Sequence, residues 1–156
     1  MKGVSIRWMI RVDLDFVLAI EKDSFSEPWT RDEFVDALRQ RGCIGMVCEV
    51  GDEVAVYMLY ELHKNRLRVI NFAIAPKYRR NGYGKAMVDK LVAKMNYQLR
   101  SRITLEIRET NLPAQLFWKS QGFRAVTILR DWYEDTTESA IVMQYHVNQE
   151  ANQCFI

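Results

Sequence analysis

The sequence predicts one α+β domain in which a mixed sheet is flanked by helices. Three observations carry that prediction. Apolar residues recur at helical spacing in four stretches and alternate, or run unbroken, in seven others. These stretches follow one another in the order β-α-α-β-β-β-α-β-α-β-β. No repeat, low-complexity segment or linker interrupts the 156 residues, which suffice for one buried core. A hydrophobic fraction of 49% and an aromatic fraction of 12% exclude a disordered chain.

VSIRWM (4–9) reads as a short first strand. Over 12–25, Val12, Phe16, Ala19, Ile20 and Phe25 fall near helical spacing, and Pro28 ends that helix by disfavouring helical geometry at Glu27. Thr30 caps a second helix, with Glu33 completing a capping box and Phe34, Ala37 and Leu38 forming its inner stripe. Cys43–Val50 and Val54–Leu62 form a hairpin around Gly51-Asp52. LRVINFAIA (67–75) is almost free of charge after Arg68, as expected of a central strand. Val88, Leu91, Val92, Met95 and Leu99 mark a third helix. RITLEIR (102–108) alternates, with Thr104, Glu106 and Arg108 on its polar face. NLPAQLFWKSQGF (111–123) is a compact helix opened by Asn111 and Pro113 and stopped by Gly122. Residues 124–130 and 140–146 are two final strands joined by DWYEDTTES, and 148–156 form a tail outside the 1–147 domain.

A net charge of +2 implies no global attraction to nucleic acid or membrane, but the charge is locally uneven. Residues 77–102 carry Lys77, Arg79, Arg80, Lys85, Lys90, Lys94, Arg100 and Arg102 against Asp89 alone. Residues 13–36 carry eight acids against Lys22 and Arg31. Cys43, Cys48 and Cys154 include no C-x-x-C pair, and His63 and His146 stand far apart in sequence, so neither a zinc site nor a disulfide framework is expected. Unpaired cysteines and the lack of a secretory h-region or a membrane span point to a cytoplasmic protein.

RRNGYGK (79–85) lies between a strand and a helix. Two glycines there let backbone N–H groups converge on an anion, and Arg79, Arg80 and Lys85 add charge. An ordinary tight turn with solvated basic side chains fits the local spacing equally well. The stretch is neither a Walker A loop nor G-x-G-x-x-G.

In its context, IAPKYRRNGYGKAMV, the stretch resembles the R/Q-x-x-G-x-G/A acetyl-CoA signature of the GNAT acetyltransferases, and the resemblance covers residues 5–146. IEKDSFSEPWT, TLEIRETNLPAQLFWKSQGF and LRDWY…ESAIVM further resemble segments of the ribosomal-protein-alanine N-acetyltransferases, the RimI-like group. The resemblance implies a single GNAT-like domain with a central, mostly antiparallel mixed sheet of six to seven strands and about four helices. It implies acetyl-CoA as co-substrate and no metal. Phe72, Ala73 and Ile74 would pair with the pantetheine arm, and Arg79, Arg80, Asn81, Gly82, Tyr83, Gly84 and Lys85 would hold the phosphates. Asn111 would contact the cofactor, cap its helix, or do both.

Glu106 matches the glutamate of the family's L-E-V-R and would act as general base. Trp118 replaces the tyrosine that the family is taken to use as the acid for the CoA thiolate. Indole does not ionise in that range, so Trp118 would support the thiolate by a hydrogen bond while solvent supplies the proton, Tyr133 would approach instead, or the chain would be a slow or differently specialised member. The expected acceptor is the N-terminal amine of a protein, a basic ribosomal protein in the RimI-like group. Glu21, Asp23, Glu27 and Asp32, with Asp131, Glu134, Asp135 and Glu138, would form acidic walls for it. Trp29 and Tyr133 would flank its first residue. The expected protein works without nucleic acid or membrane, as a monomer or homodimer. A lysine side chain or small amine as acceptor, and a non-catalytic acyl-CoA-binding regulator, are the competing readings.

Overall fold

The computed structural model describes residues 3–97 and 99–147. The expected 148–156 tail lies outside the described residues. The elements run β1 (Val4–Trp8), α1 (Leu14–Ser24), α2 (Arg31–Arg39), β2 (Cys43–Val50), β3 (Glu53–Leu62), β4 (Arg66–Ile74), α3 (Tyr83–Tyr97), β5 (Arg102–Arg108), α4 (Leu112–Ser120), β6 (Arg124–Leu129) and β7 (Ala140–His146). Short 3-10 turns precede α1 (Arg11–Asp13) and follow β4 (Pro76–Tyr78). The seven strands make one sheet in the order β1-β2-β3-β4-β5-β7-β6, so the expected mixed, mostly antiparallel sheet with four helices is what forms. The chain divides into two compact units, 1–62 with 69–91 and 63–68 with 92–156; the divisions fall at the end of β3, inside β4 and inside α3.

In the first unit, β2 pairs antiparallel with β1 and with β3, and Gly51 at φ +60 makes the hairpin turn. β3 is buried from Val54 to Tyr60, on both faces, which its unbroken apolar run requires. The Thr30 hydroxyl accepts from the Glu33 N–H while the Glu33 carboxylate accepts from the Thr30 N–H, so the expected capping box starts α2. Phe34 is fully buried, between Trp29 (centroids 5.1 Å) and the edge of Tyr57 (5.8 Å).

The first helix departs from its expected phase. Leu14, Val17, Ile20 and Glu21 face inward, whereas Val12 and Phe16 are exposed. Residues 11–13 form a 3-10 turn, so Val12 precedes the α-helix and the stripe starts at Leu14. Glu21 is 2% exposed. Its Oε2 accepts from the Tyr57 hydroxyl and from Asn71 Nδ2 (2.9 Å), and its Oε1 accepts from the Trp29 N–H (3.2 Å). Burial and the Glu21 charge together hold the Tyr57 phenol protonated well above its ordinary range.

Asp13 is buried and receives both Nη groups of Arg7 (2.8 and 2.9 Å) and the Ile10 N–H (2.8 Å). Burial pushes its carboxyl up, but the Arg7 hydrogen bonds, the Ile10 N–H and the guanidinium charge outweigh that and hold it below the usual range. A carboxyl depressed by folding stabilises above its unfolded value, about 3.9, and stops doing so as pH falls through the folded value. Urea unfolding of the wild type and of Asp13→Asn is therefore expected to differ by about 2 kcal/mol at pH 7, with the gap narrowing as pH falls below the unfolded value of about 3.9. A gap that does not narrow with acid would count against the pair as its source.

In the second unit, β7 lies between β5 and β6, antiparallel to both, and β4 residues Arg66–Arg68 pair parallel with Arg102–Thr104. Leu67, Ile103, Leu105, Ile107, Trp118, Phe123 and Met143 are buried. Asn111 caps α4 through Oδ1, which accepts from the Ala114 N–H at 3.2 Å. Gly122 follows the helix at φ +91, where a Cβ would also meet the Tyr145 ring at 3.3 Å. Cys43 and Cys48, in the first unit, are buried free thiols; burial and nearby Glu61 push Cys43 up to about 11, and burial raises Cys48. Among the described residues, no helix is long and apolar enough to cross a membrane, and no cluster of metal-ligating side chains occurs.

Candidate active site

Within the first unit, β4 delivers Phe72, Ala73 and Ile74 to its C-terminal end, with Ala73 buried and its neighbours half-buried by strand alternation. The 3-10 turn then leads into residues 79–82. Arg79 folds back, its Nε donating to the Ile74 carbonyl (3.1 Å) and its Nη2 to Ser24 Oγ (3.3 Å). Asn81 Nδ2 donates to the Arg79 carbonyl (3.0 Å). Arg80 and Gly82 both take left-handed backbone, φ +64 and +83. A Cβ on Gly82 would meet nothing within 4 Å, so the backbone conformation, not crowding, asks for glycine there.

The first α3 hydrogen bond runs from the Ala86 N–H to the Gly82 carbonyl at 3.0 Å. The N–H groups of Tyr83, Gly84 and Lys85 therefore precede the helical ladder and carry the positive end of a 15-residue helix. Such a turn suits a polyanion: exposed Arg80 and an open glycine at a helix start accept a diphosphate without a Cβ in the way. Lys85 is held by Asp89 at 2.8 Å, and Lys77 by Glu53 at 2.6 Å.

Within the second unit, the polar face of β5 carries Glu106 and Arg108. Glu106 faces a neighbour that sequence reasoning did not include, Arg68. Arg68 Nε donates to Oε1 (3.0 Å) and Oε2 (3.2 Å) of Glu106, and its Nη2 lies 3.0 Å from Oε1; the side chains are only 28% and 15% exposed. Arg108 grips Asp135 through both Nη groups (3.1 and 2.8 Å) and stacks on the Tyr133 ring at 3.9 Å. Burial raises the half-buried Tyr133 phenol; the Arg108 guanidinium opposes this, and the charges of Glu106, Glu138 and Asp135 reinforce it. Tyr133 is thus a protonated donor at neutral pH, electrostatically coupled to Glu106. Trp118 is buried on α4, edge-on to Phe117 (5.3 Å) and Phe123 (4.8 Å). The Asn111 cap uses Oδ1, which leaves the amide –NH2 outside that bond.

The expected acidic walls need correction. Glu21 is buried and committed to Tyr57, Asn71 and Trp29, so it offers no surface charge. Asp135 is neutralised by Arg108, and Glu138 accepts from Thr110 Oγ1 at 2.7 Å. Asp23, Glu27, Asp32, Asp131 and Glu134 include the exposed acids that remain. Arg68 left one signal in the sequence, charge at the head of a strand otherwise nearly free of it, and Arg108 stands on the polar face of β5, but their partners are not fixed by local sequence.

Comparison with known proteins follows the same lines. A Bacillus subtilis (strain 168) protein, named as a candidate ribosomal protein bS18-alanine N-acetyltransferase, is 30% identical over 146 residues, covering 93% of this chain and 97% of its own. The ribosomal protein bS18-alanine N-acetyltransferase of Escherichia coli (strain K12) is 27% identical, over 84% of this chain and 89% of its own. Among solved structures, Ard1 from Thermoplasma volcanium superposes with a TM-score of 0.84 at 26% identity, covering 93% of this chain and 98% of that one. The Escherichia coli ribosomal-protein-S18-alanine N-acetyltransferase does so at 0.82 and 24% identity, covering 92% and 94%. The model of the acetyltransferase (GNAT) family matches residues 14–123, more than half of the sequence, and the chain belongs to that family.

Proposed function

We propose that this chain transfers the acetyl group of acetyl-CoA to the N-terminal α-amine of a protein, with a basic, alanine-initiated chain as acceptor. The observation that carries the reading is Glu106, an ionisable carboxylate on the polar face of β5, oriented by a guanidinium and coupled to a protonated phenol. Family membership supports the acetyl donor, and the names of the two relatives support the acceptor.

In this reading the backbone of Phe72–Ile74 pairs with the amide groups of the pantetheine arm as an added strand would. Its N–H groups polarise the thioester carbonyl. The left-handed turn at Arg80 and Gly82 and the start of α3 hold the diphosphate. The Asn111 –NH2 supplies a further donor. An α-amine, with pKa about 7.7–8.0, is largely protonated at pH 7 and must lose a proton to attack. Solvent takes that first proton; Glu106 then takes, directly or through water, the second proton that the nitrogen sheds as the N–C bond forms and the C–S bond breaks. The thiolate then takes a proton from the Tyr133 phenol or from solvent, and buried Trp118 shapes the wall of α4.

The test is free-thiol release from acetyl-CoA with an alanine-initiated basic peptide, against the same peptide blocked at its N-terminus and one whose only free amine is an internal lysine. Release confined to the free N-terminus is expected. Release with the blocked lysine peptide would move the acceptor to a side-chain amine, and binding of acetyl-CoA without release from any amine would leave a non-catalytic binder.

A further inference from the structure

We propose that Arg68 is the positioning residue for Glu106, and that its fork leaves Oε2 as the oxygen that receives the proton. The proposal rests on the reading of Glu106 as the base and extends it to a second residue.

The placement follows from register. Arg68 pairs with Thr104 in the short parallel ladder between β4 and β5, and Glu106 lies two residues further on the same strand face. The Thr104 hydroxyl is already taken by Arg66 Nη1 at 2.8 Å. Arg68 therefore meets Glu106 on the diagonal, and does so with a fixed fork: Nε and Nη2 both address Oε1 at 3.0 Å, and Nε reaches Oε2 at 3.2 Å. A carboxylate offers about four lone-pair sites. Among the described residues, Oε1 meets two donors and Oε2 one, the longest of the three. A planar fork also fixes the carboxylate plane, which a point-charge ammonium cannot do.

The other charged and titratable groups around Glu106 come from β5 and from the β6–β7 connection. Arg108 is turned to Asp135 and the Tyr133 ring, and Tyr133, Asp135 and Glu138 lie beyond it. From β7 the residue opposite Glu106 is Val142, which is apolar. Arg68 is thus a cation placed to aim Glu106.

The experiment compares Arg68→Met, Arg68→Lys and Glu106→Gln, each in the full chain, and the double variant Arg68→Met/Glu106→Gln. Rates with acetyl-CoA and the alanine-initiated peptide are read across pH 5.5–9. For Arg68→Met, kcat is expected to fall about ten- to hundredfold, part of what a positioned base supplies, with KM for both substrates within about twofold. Arg68→Lys keeps the charge without the fork, so kcat should recover only in part. In the double variant the losses should not add.

An unmoved kcat in Arg68→Met, losses that add, or a loss confined to KM for acetyl-CoA would each overturn the proposal. A wild-type rate in Glu106→Gln would instead remove the base reading, whatever Arg68 does. If Arg68→Met lowers the thermal midpoint too far to assay, the kcat of Arg68→Lys decides, since that variant keeps the stem and the charge.

Discussion

Glu106→Gln is expected to lower kcat for the alanine-initiated peptide by about 10²–10⁴, the range a positioned base supplies. KM for acetyl-CoA should hardly change, because the candidate phosphate and pantetheine contacts belong to residues 72–85 and not to Glu106. Gln is isosteric with Glu, and its amide oxygen still accepts from Arg68, so the fold should persist with its thermal midpoint within a few degrees. What it loses is the capacity to take a proton. Raising the pH supplies more neutral amine and should recover part of the rate, which distinguishes a lost base from a lost binding contact. A variant that retains more than about a third of the wild-type kcat at pH 7 would remove Glu106 from the chemistry.

Glu21→Ala should be the most damaging single change to stability among the polar residues discussed, at about 3–5 kcal/mol. Removing the carboxylate strands three donors in an interior that excludes water: the Tyr57 hydroxyl, Asn71 Nδ2 and the Trp29 N–H. Each buried unsatisfied group costs about 1–3 kcal/mol, and the three share one cavity, so their costs do not simply sum. At about 2–4 °C per kcal/mol for a domain of this size, the thermal midpoint should drop by roughly 10 °C. Glu21→Gln keeps one acceptor and nearly the same volume and should lose less than half as much. Urea denaturation of the two variants beside the wild type reads both numbers, and a loss below about 1 kcal/mol in Glu21→Ala would show the network to be dispensable.

The same residue marks where sequence reasoning stopped. Glu21 sits in a run of acids and reads as surface charge, yet it occupies the fourth position of the buried stripe Leu14, Val17, Ile20, Glu21. Apolar spacing fits several phases over one helix, and Val12 and Phe16 were attractive enough to mislead. Elements with chemical punctuation were legible: the Thr30–Glu33 box, the Gly51 turn, the Asn111 cap and the Gly122 stop each act within four residues of chain. The strand carrying Glu106 was legible from its strict alternation.

Arg68 against Glu106 and Arg108 against Asp135 were not legible, because each spans 27 or more residues and depends on strand register. The motif stretches drew attention to residues 79–85 and to Glu106. What surrounds Glu106 came only from three-dimensional pairing.

The two buried thiols set the kinetic order of the proposed reaction. A cysteine attacks a thioester as its thiolate, and a thiol at about 11 is ionised in on the order of one molecule in 10³–10⁴ near neutral pH. Cys43 is therefore inert toward acetyl-CoA, and Cys48, fully enclosed and also raised, is no better placed. Neither of these described cysteines can carry an acetyl group between half-reactions. In the proposed direct attack by the amine, both substrates are bound together before acetyl moves. Initial-rate lines at several fixed acetyl-CoA concentrations would then intersect instead of running parallel, the pattern of a ternary complex and not of ping-pong exchange.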